Sequence, residues 1–343
     1  MVVIFTRQLS SMLASGVPLM TALVVLSEQS ESRALGEVVS DAARLVNSGV
    51  RLSAALHEHG YVFSRVYVVM VQIGEQTGQL EDMLSRLSDW LESDERLRQR
   101  IVKALTYPTF VSVLAFFMTL GLFYTVVPSF LNIFEEMHVE LPLITKVVKA
   151  IADSLRHPGV WFLALAAGFA LSHWLRYALS RPGAWCRPYR ILSMVPVLGN
   201  LLSYGALARF STTLGVLLQS GVDLAKAVRL AIMASGNPLW QQDLGGLEAS
   251  IREGKSLSEY LEYRSDLYPN TLTQMIMAGE EAARLDEMIS RAAAYYDVEL
   301  GFQIDALSSL IEPLLLAAVS LIVGSVVVAL FLPLYGFLGK LGA

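Results

Sequence analysis

Apolar residues recur at three- and four-residue steps near both ends of the chain. Phe5, Leu9, Met12 and Leu13 form one such series, Leu80, Leu84, Leu87 and Leu91 a second, and Leu285, Ile289, Tyr296, Leu300 and Ile304 a third. Strand-like alternation is scarce, so the pattern predicts amphipathic helices gathered into small antiparallel bundles. The predicted fold class is all-α.

Between these patterned regions lie longer apolar runs. Thr109–Val127 and Leu314–Leu332 each hold 19 residues without a charge, and each is framed by prolines, Pro108 with Pro128 and Pro313 with Pro333. At about 1.5 Å per residue such a run spans roughly 28 Å, the thickness of a hydrocarbon core. Gly159–Leu175 is shorter and carries His173, but Trp161 and Trp174 suit interfacial anchors, so it too is expected to span. Arg96, Arg98, Arg100 and Lys103 precede the first run, and Arg176, Arg181, Arg187 and Arg190 follow the second, which assigns both flanks to the cytoplasm. The expected organisation is a cytoplasmic bundle over 1–106, a membrane helix over 107–130 and a periplasmic loop over 131–158. A second membrane helix over 159–179, a second cytoplasmic bundle over 180–306 and a third membrane helix over 307–337 follow. Pro108 and Pro313 are expected to kink a cytoplasmic helix where it runs on into the membrane. The opening MVVIFTRQLSSML is too short an apolar run for a signal peptide and is broken by Arg7, so it reads as the first helix of a bundle.

The two bundles repeat one another at an offset of 205 residues. FTRQLSSMLASGVPL aligns with FSTTLGVLLQSGVDL, pairing Phe5 with Phe210, Leu9 with Leu214 and Ser15-Gly16-Val17 with Ser220-Gly221-Val222. The same step pairs Gly74-Glu75 with Gly279-Glu280, Met83 with Met288, Pro108 with Pro313 and Pro128 with Pro333. Two like-oriented units, each ending in one crossing, require an extra crossing between them, and Gly159–Leu175 supplies it. Local signals agree with helices: Gly16 and Gly221 suit C-caps, Pro18 a first turn, and Asp223, Ser53 and Ser258 N-caps.

Composition changes this picture little. A chain that is 54% hydrophobic and 17% charged, with mean hydropathy +0.50, is part membrane and part aqueous domain. The net charge of −5 argues against nucleic acid as a partner. Cys186, the one cysteine, has no partner for an internal disulfide and reads as a bystander.

The candidate chemistry is thin. ASIREGKS (249–256) fits a relaxed phosphate-loop pattern, but the spacing before it is helical, Gly254 is its one glycine, and the first copy has Val50-Arg51 where this one has Lys255-Ser256. His57 and His59 lie two apart, on opposite sides of a helix, and read as a solvated turn rather than a metal pair. His138, His157 and His173 are scattered, and nothing pairs a nucleophile with a base. Glu312, at the mouth of the third span, reads as a snorkelling interfacial acid, with an ion or proton role as the lesser reading. The sequence implies no enzyme and no cofactor.

What remains is GEQTGQLEDM (74–83) and its copy GEEAARLDEM (279–288). Glycines suit the end of one helix and acids the first turn of the next, which makes each stretch a corner between helices. Glu75 and Glu280 read as exposed acids shown to a partner, with Gly74, Gly78, Gly279 and Glu281 beside them, and Glu75 as the preferred contact. Glu75, Glu81 and Asp82 are also weak candidates for a hard-cation site, without the spacing of a dedicated loop.

Two helical domains with Ser-Gly-Val and Gly-Glu-x-x-Gly-x-Leu signatures resemble the inner-membrane platform proteins of type II secretion and type IV pilus systems, the general secretion pathway F family. So does the order of domain, two crossings, domain and one crossing. The resemblance runs from Phe5 to about Phe337. It implies a multi-pass protein of the bacterial inner membrane with a cytoplasmic N-terminus. It also implies a cytoplasmic assembly ATPase, pilin or pseudopilin transmembrane helices, other inner-membrane assembly components and further copies of the chain as partners. The sequence departs from that family at Ala282-Ala283, where relatives carry a small polar residue and Gly, so the second corner is expected to close differently. A transporter or channel is the alternative. Such proteins place charged or broken segments at the midplane, and both 19-residue spans lack charge.

Overall fold

The computed structural model describes residues 1–136, 141–179 and 186–341; His138, Glu140 and Arg181 lie outside them. All regular structure among the described residues is helical. The chain forms two compact units, one built from 1–101 and 186–303, the other from 102–185 and 304–343.

The first unit holds both bundles. Bundle 1 consists of α1 (Val2–Ala14), α2 (Leu19–Glu28), α3 (Arg33–Asn47), α4 (Leu52–Glu58), α5 (Arg65–Thr77) and the start of α6 (Leu80–Gly121). A π-helical turn (Leu122–Val126), α7 (Val127–Glu136), α8 (Leu143–Arg156), α9 (Pro158–Leu179) and α10 (Cys186–Ser193) follow. Bundle 2 repeats the first with α11 (Pro196–Gln219), α12 (Leu224–Ser235), α13 (Pro238–Arg252), α14 (Leu257–Tyr263), α15 (Asn270–Glu281) and the start of α16 (Leu285–Leu341). Helices α3 and α13, and α4 and α14, begin and end 205 residues apart, as the repeat predicts.

The apolar series seen in the sequence supply the cores. Phe5, Leu9, Leu84 and Leu87 are buried in bundle 1, and Phe210, Leu214, Ile289, Tyr296 and Leu300 in bundle 2. Ser32 caps α3, and its repeat partner Asn237 caps α13, each accepting an orphan amide of the first turn. Asp223 caps α12 as predicted, but Pro18 stands at the N-cap itself, with α2 starting one residue later. Helix α1 is a core helix of bundle 1, with Phe5, Thr6, Leu9 and Ser10 buried. The two bundles touch: Trp90 Nε1 donates to Thr213 Oγ1 at 3.1 Å, and Arg100 pairs with Asp297 at 3.0 Å.

Helix α6 continues unbroken through Pro108, and α16 through Pro313 and Pro333. Among the described residues three helical stretches are long and apolar enough to cross a membrane: 80–136, 197–219 and 285–333, with Pro158–Ala170 a shorter apolar helix. The stretch 197–219 is 56% buried and belongs to the core of bundle 2. The expected second span falls on α9, where Phe162, Leu163, Leu165 and Phe169 stand exposed.

In the second unit the region 131–158, expected as a loop, holds two helices. Phe123, Val127, Leu131 and Phe134 form one buried cluster with Val148 and Ala152 of α8 and Val326, Ala329 and Leu330 of α16. Prolines explain part of this arrangement, because each leaves the carbonyl four residues earlier without its usual donor. Pro128 frees the Tyr124 carbonyl, which accepts from Arg156 Nη2 at 3.3 Å. Its repeat partner Pro333 frees the Ala329 carbonyl, which accepts from Thr145 Oγ1 at 2.6 Å. Pro108 frees that of Ala104, within 3.5 Å of Ser308 Oγ.

Candidate partner-docking corners

Ser64 caps the start of α5 by accepting from the Tyr67 amide. The helix ends at Gly78, whose φ of +71° suits glycine, and the Gln79 amide then bonds back to the Gly74 carbonyl at 2.9 Å. Gly74 does not end the helix and does not face a partner. It is buried inside α5, and a Cβ there would lie 2.9 Å from Leu80 Cα and 3.0 Å from Met83 Cβ. Its lack of a side chain lets the first turn of α6 cross against α5. Gly279 is the same feature in bundle 2, with Leu285 Cα and Met288 Cβ both at 3.0 Å from the would-be Cβ. The role assigned to Gly74 and Gly279 from sequence, contact with a partner, is therefore corrected to internal packing.

The second corner closes as the first does. Ala283, the repeat partner of Gly78, takes φ +52°, and the Arg284 amide bonds to the Gly279 carbonyl at 2.9 Å. A left-handed alanine costs roughly 1–2 kcal/mol, and the packing of α15 on α16 supports it. The different closure expected of Ala282-Ala283 is not found.

Glu75 and Glu280 also turn inward. Glu75 Oε2 accepts from the Ser53 hydroxyl at 2.5 Å and the Ser53 amide at 3.3 Å. Glu280 accepts from the Ser258 hydroxyl at 2.5 Å, the Ser258 amide at 3.2 Å and the Leu257 amide at 2.7 Å. These are first-turn donors of α4 and α14, so a carboxylate from the next helix neutralises amides that a cap leaves unpaired and sits at the positive end of the dipole. The expected N-caps are corrected by two residues: Arg51 and Ser256 occupy those positions, while Ser53 and Ser258 are donors. Both glutamates are half-buried rather than displayed.

The exposed acids of the corners are their neighbours. Glu81, Asp82 and Glu281 face solvent; Asp82 pairs with Arg86 one turn on at 2.9 Å. With Glu75 committed to Ser53, the triad Glu75, Glu81 and Asp82 does not converge, and no cluster of three potential metal ligands occurs among the described residues.

The other motifs resolve similarly. Residues 249–256 form the end of α13, a turn at Gly254 (φ +83°) and Ser256, the N-cap of α14, which is a helix joint with no preceding strand. His57 is exposed as expected, whereas His59 is half-buried and its Nε2 lies 3.0 Å from Asp41 Oδ2, so the solvated-turn reading is corrected for His59. Arg44 first, and His59 with it, hold the Asp41 carboxyl below its ordinary value. His59 stands where bundle 2 has Arg264, which pairs with buried Asp243. Tyr260 and Tyr268 also donate to Asp243, each at 3.1 Å, and burial chiefly pushes the Tyr268 hydroxyl up. Sequence reasoning missed this network; Tyr260, Arg264 and Tyr268 lie 17 to 25 residues from Asp243, and the counterparts of the four in bundle 1 are Val38, Ala55, His59 and Phe63. It also missed a cleft of about 310 Å³ between the bundles, lined by Trp90, Leu97, Thr213, Leu230 and Met233 and edged by Arg65 and Asp94.

Known proteins resemble this chain in sequence. The model of the family described as type II secretion system (T2SS), protein F, matches twice, over residues 5–128 and 210–333, and the two matches are again 205 residues apart. The type IV pilus assembly protein PilC of Thermus thermophilus is 35% identical over 98% of this chain and 82% of its own length. The type IV pilus assembly protein TapC of Aeromonas hydrophila is 31% identical over 97% and 80%. Type II secretion system protein F of Aeromonas hydrophila is 30% identical over 96% and 84%. With a doubled match in the positions of its own repeat and relatives aligned along nearly its whole length, the chain belongs to the type II secretion system protein F family.

Proposed function

We propose that the chain is a non-enzymatic inner-membrane platform of a filament-assembling machine, coupling a cytoplasmic assembly ATPase to the movement of pilin or pseudopilin subunits from the bilayer into the filament. The observation that carries this reading is the pair of equivalent long helices. In each repeat one helix begins in the core of a bundle and continues, through a proline, into a charge-free stretch with exposed Phe116, Phe117, Leu314 and Leu321. Such side chains suit lipid or another apolar helix, and a continuous helix transmits displacement along its axis. In this reading α6, α9 and α16 cross the membrane, the N-terminus is cytoplasmic, and the partners are the ATPase, pilin-like helices, other inner-membrane assembly components and further copies of the chain. The relatives include pilus and secretion proteins alike, and the reading covers both.

The corners remain the proposed ATPase contact, through Glu81 and Asp82 in bundle 1 and Glu281 in bundle 2, which are exposed, rather than through Glu75 and Glu280, which are occupied. The test is charge reversal on the tagged full-length protein. E81K/D82K and E281K should weaken capture of the host's assembly ATPase from detergent extracts while the helical content and melting profile stay unchanged. Undiminished capture by all of these variants would remove the corners from the contact.

A further inference from the structure

The membrane reading leaves α8 unexplained, since a segment expected to be a loop outside the bilayer is a well-formed helix fixed at both ends. Near its start, buried Thr145 donates to the Ala329 carbonyl freed by Pro333; at its end, Arg156 donates to the Tyr124 carbonyl freed by Pro128. Ala329 and Tyr124 occupy the same place in the last turn of the two charge-free runs, three residues before Leu332 and Val127. The helix is thus tied near both ends to equivalent positions of the two repeats, and between them Lys149 pairs with Glu135 of α7 at 2.5 Å. Tyr124 Oη and Trp161 Nε1 both donate to the Leu155 carbonyl, at 2.6 and 2.8 Å, which places an amphipathic aromatic pair at the end of α8.

The faces of α8 are divided accordingly. Val148 and Ala152 pack in the buried cluster with α16. Leu143, Val147 and Ile151, at successive four-residue steps, are exposed, Leu143 to 80%. Lys149, Asp153 and Arg156 lie roughly half a turn away from Val147 and Ile151 at about 100° per residue. These three charges point away from the exposed apolar strip, Lys149 toward Glu135 and Arg156 toward the Tyr124 carbonyl, while exposed Lys146 borders the strip about 60° from Leu143. This is the division of a helix lying in a membrane interface, in which the apolar face dips below the headgroups and the charged face meets water.

We propose that α8 is an interfacial membrane-binding helix whose Leu143, Val147 and Ile151 strip is bedded in the acyl chains of the far leaflet, bracing the outer ends of α6 and α16 against the bilayer. The occupant is lipid because the strip lies beside the ends of both charge-free runs and has Lys149, Asp153 and Arg156 on the opposite face, with Lys146 at its edge where a long side chain can reach the headgroups. The proposal rests on the reading that α6, α9 and α16 span.

Nitroxide labels at V147C, I151C, K146C and D153C, with L163C on α9 as reference, test it in the full-length C186A protein reconstituted into lipid nanodiscs without any other protein. Val147 and Ile151 should collide with oxygen several-fold more often than with a water-soluble nickel chelate, as Leu163 should, while Lys146 and Asp153 show the reverse. If Val147 and Ile151 behave like Lys146 and Asp153 while Leu163 remains in lipid, the strip faces water and the proposal fails although the spanning reading stands. If the two are shielded from both probes, a second copy covers them and the proposal also fails. A water-exposed Leu163 would overturn both readings.

Discussion

Glu75 and Glu280 each act on a short helix to which they do not belong. Helix α4 has seven residues and no side-chain acceptor at Arg51, so without Glu75 its first amides have only water. Hydrogen bonds to a charged group are worth about 1.5–3 kcal/mol each when desolvated, and half-burial places these toward the lower end. E75Q should therefore raise hydrogen exchange at the first amides of α4 by about tenfold with little change in α3. In bundle 2 Ser256 caps the Glu259 amide while Glu280 holds those of Leu257 and Ser258, so E280Q should raise exchange at the first amides of α14 at least as much; equal exchange in both variants and the parent would contradict the capping role. Ala283 gives a second residue-level expectation. Because Ala283 holds φ +52° while Gly78 holds the equivalent position without penalty, A283G should stabilise the full-length protein by about 1 kcal/mol, seen as a rise in the melting temperature of its helical signal.

At the scale of elements, the hairpins α5–α6 and α15–α16 depend on glycines that allow backbone to approach backbone. G74A and G279A each place a methyl 2.9–3.0 Å from a Cα of the following helix, and overpacking of this kind costs about 1–3 kcal/mol. Each should lower the melting temperature, and a neutral result would show that the hairpins open without cost. The elements also show what can be read from sequence. The bundles were legible because a 205-residue offset aligns whole helices, and α3 with α13 and α4 with α14 begin and end where that offset says. The corners were located but misread. A glycine before an acid signals a helix end, yet here the end is Gly78, and whether Glu75 points outward depends on Ser53, 22 residues away. Helix α8 was legible in principle, since Leu143, Val147 and Ile151 carry a helical period; its charges hid it from a reading based on charge-free runs. The Asp243 network was not legible, because an aspartate with two tyrosines and an arginine becomes a network only when α13, α14 and the turn after α14 bring them together.

For the whole molecule, the repeat sets two equivalent bundles in contact within one unit and gives each a long apolar helix. The copies differ in their polar interiors. Bundle 2 buries the Asp243 network, whereas bundle 1 joins Thr6 to Tyr67 at 3.0 Å and pairs His59 with Asp41. Two similar but unequal domains joined to two equivalent membrane-capable helices suit a platform that receives work on one side and delivers it on the other. The measurement that tests this most directly is purification of the tagged full-length protein from its host's membranes in mild detergent, with identification of what accompanies it. The account predicts that the cytoplasmic assembly ATPase and a pilin or pseudopilin come with it on the same particles. Recovery of folded protein with neither would contradict it.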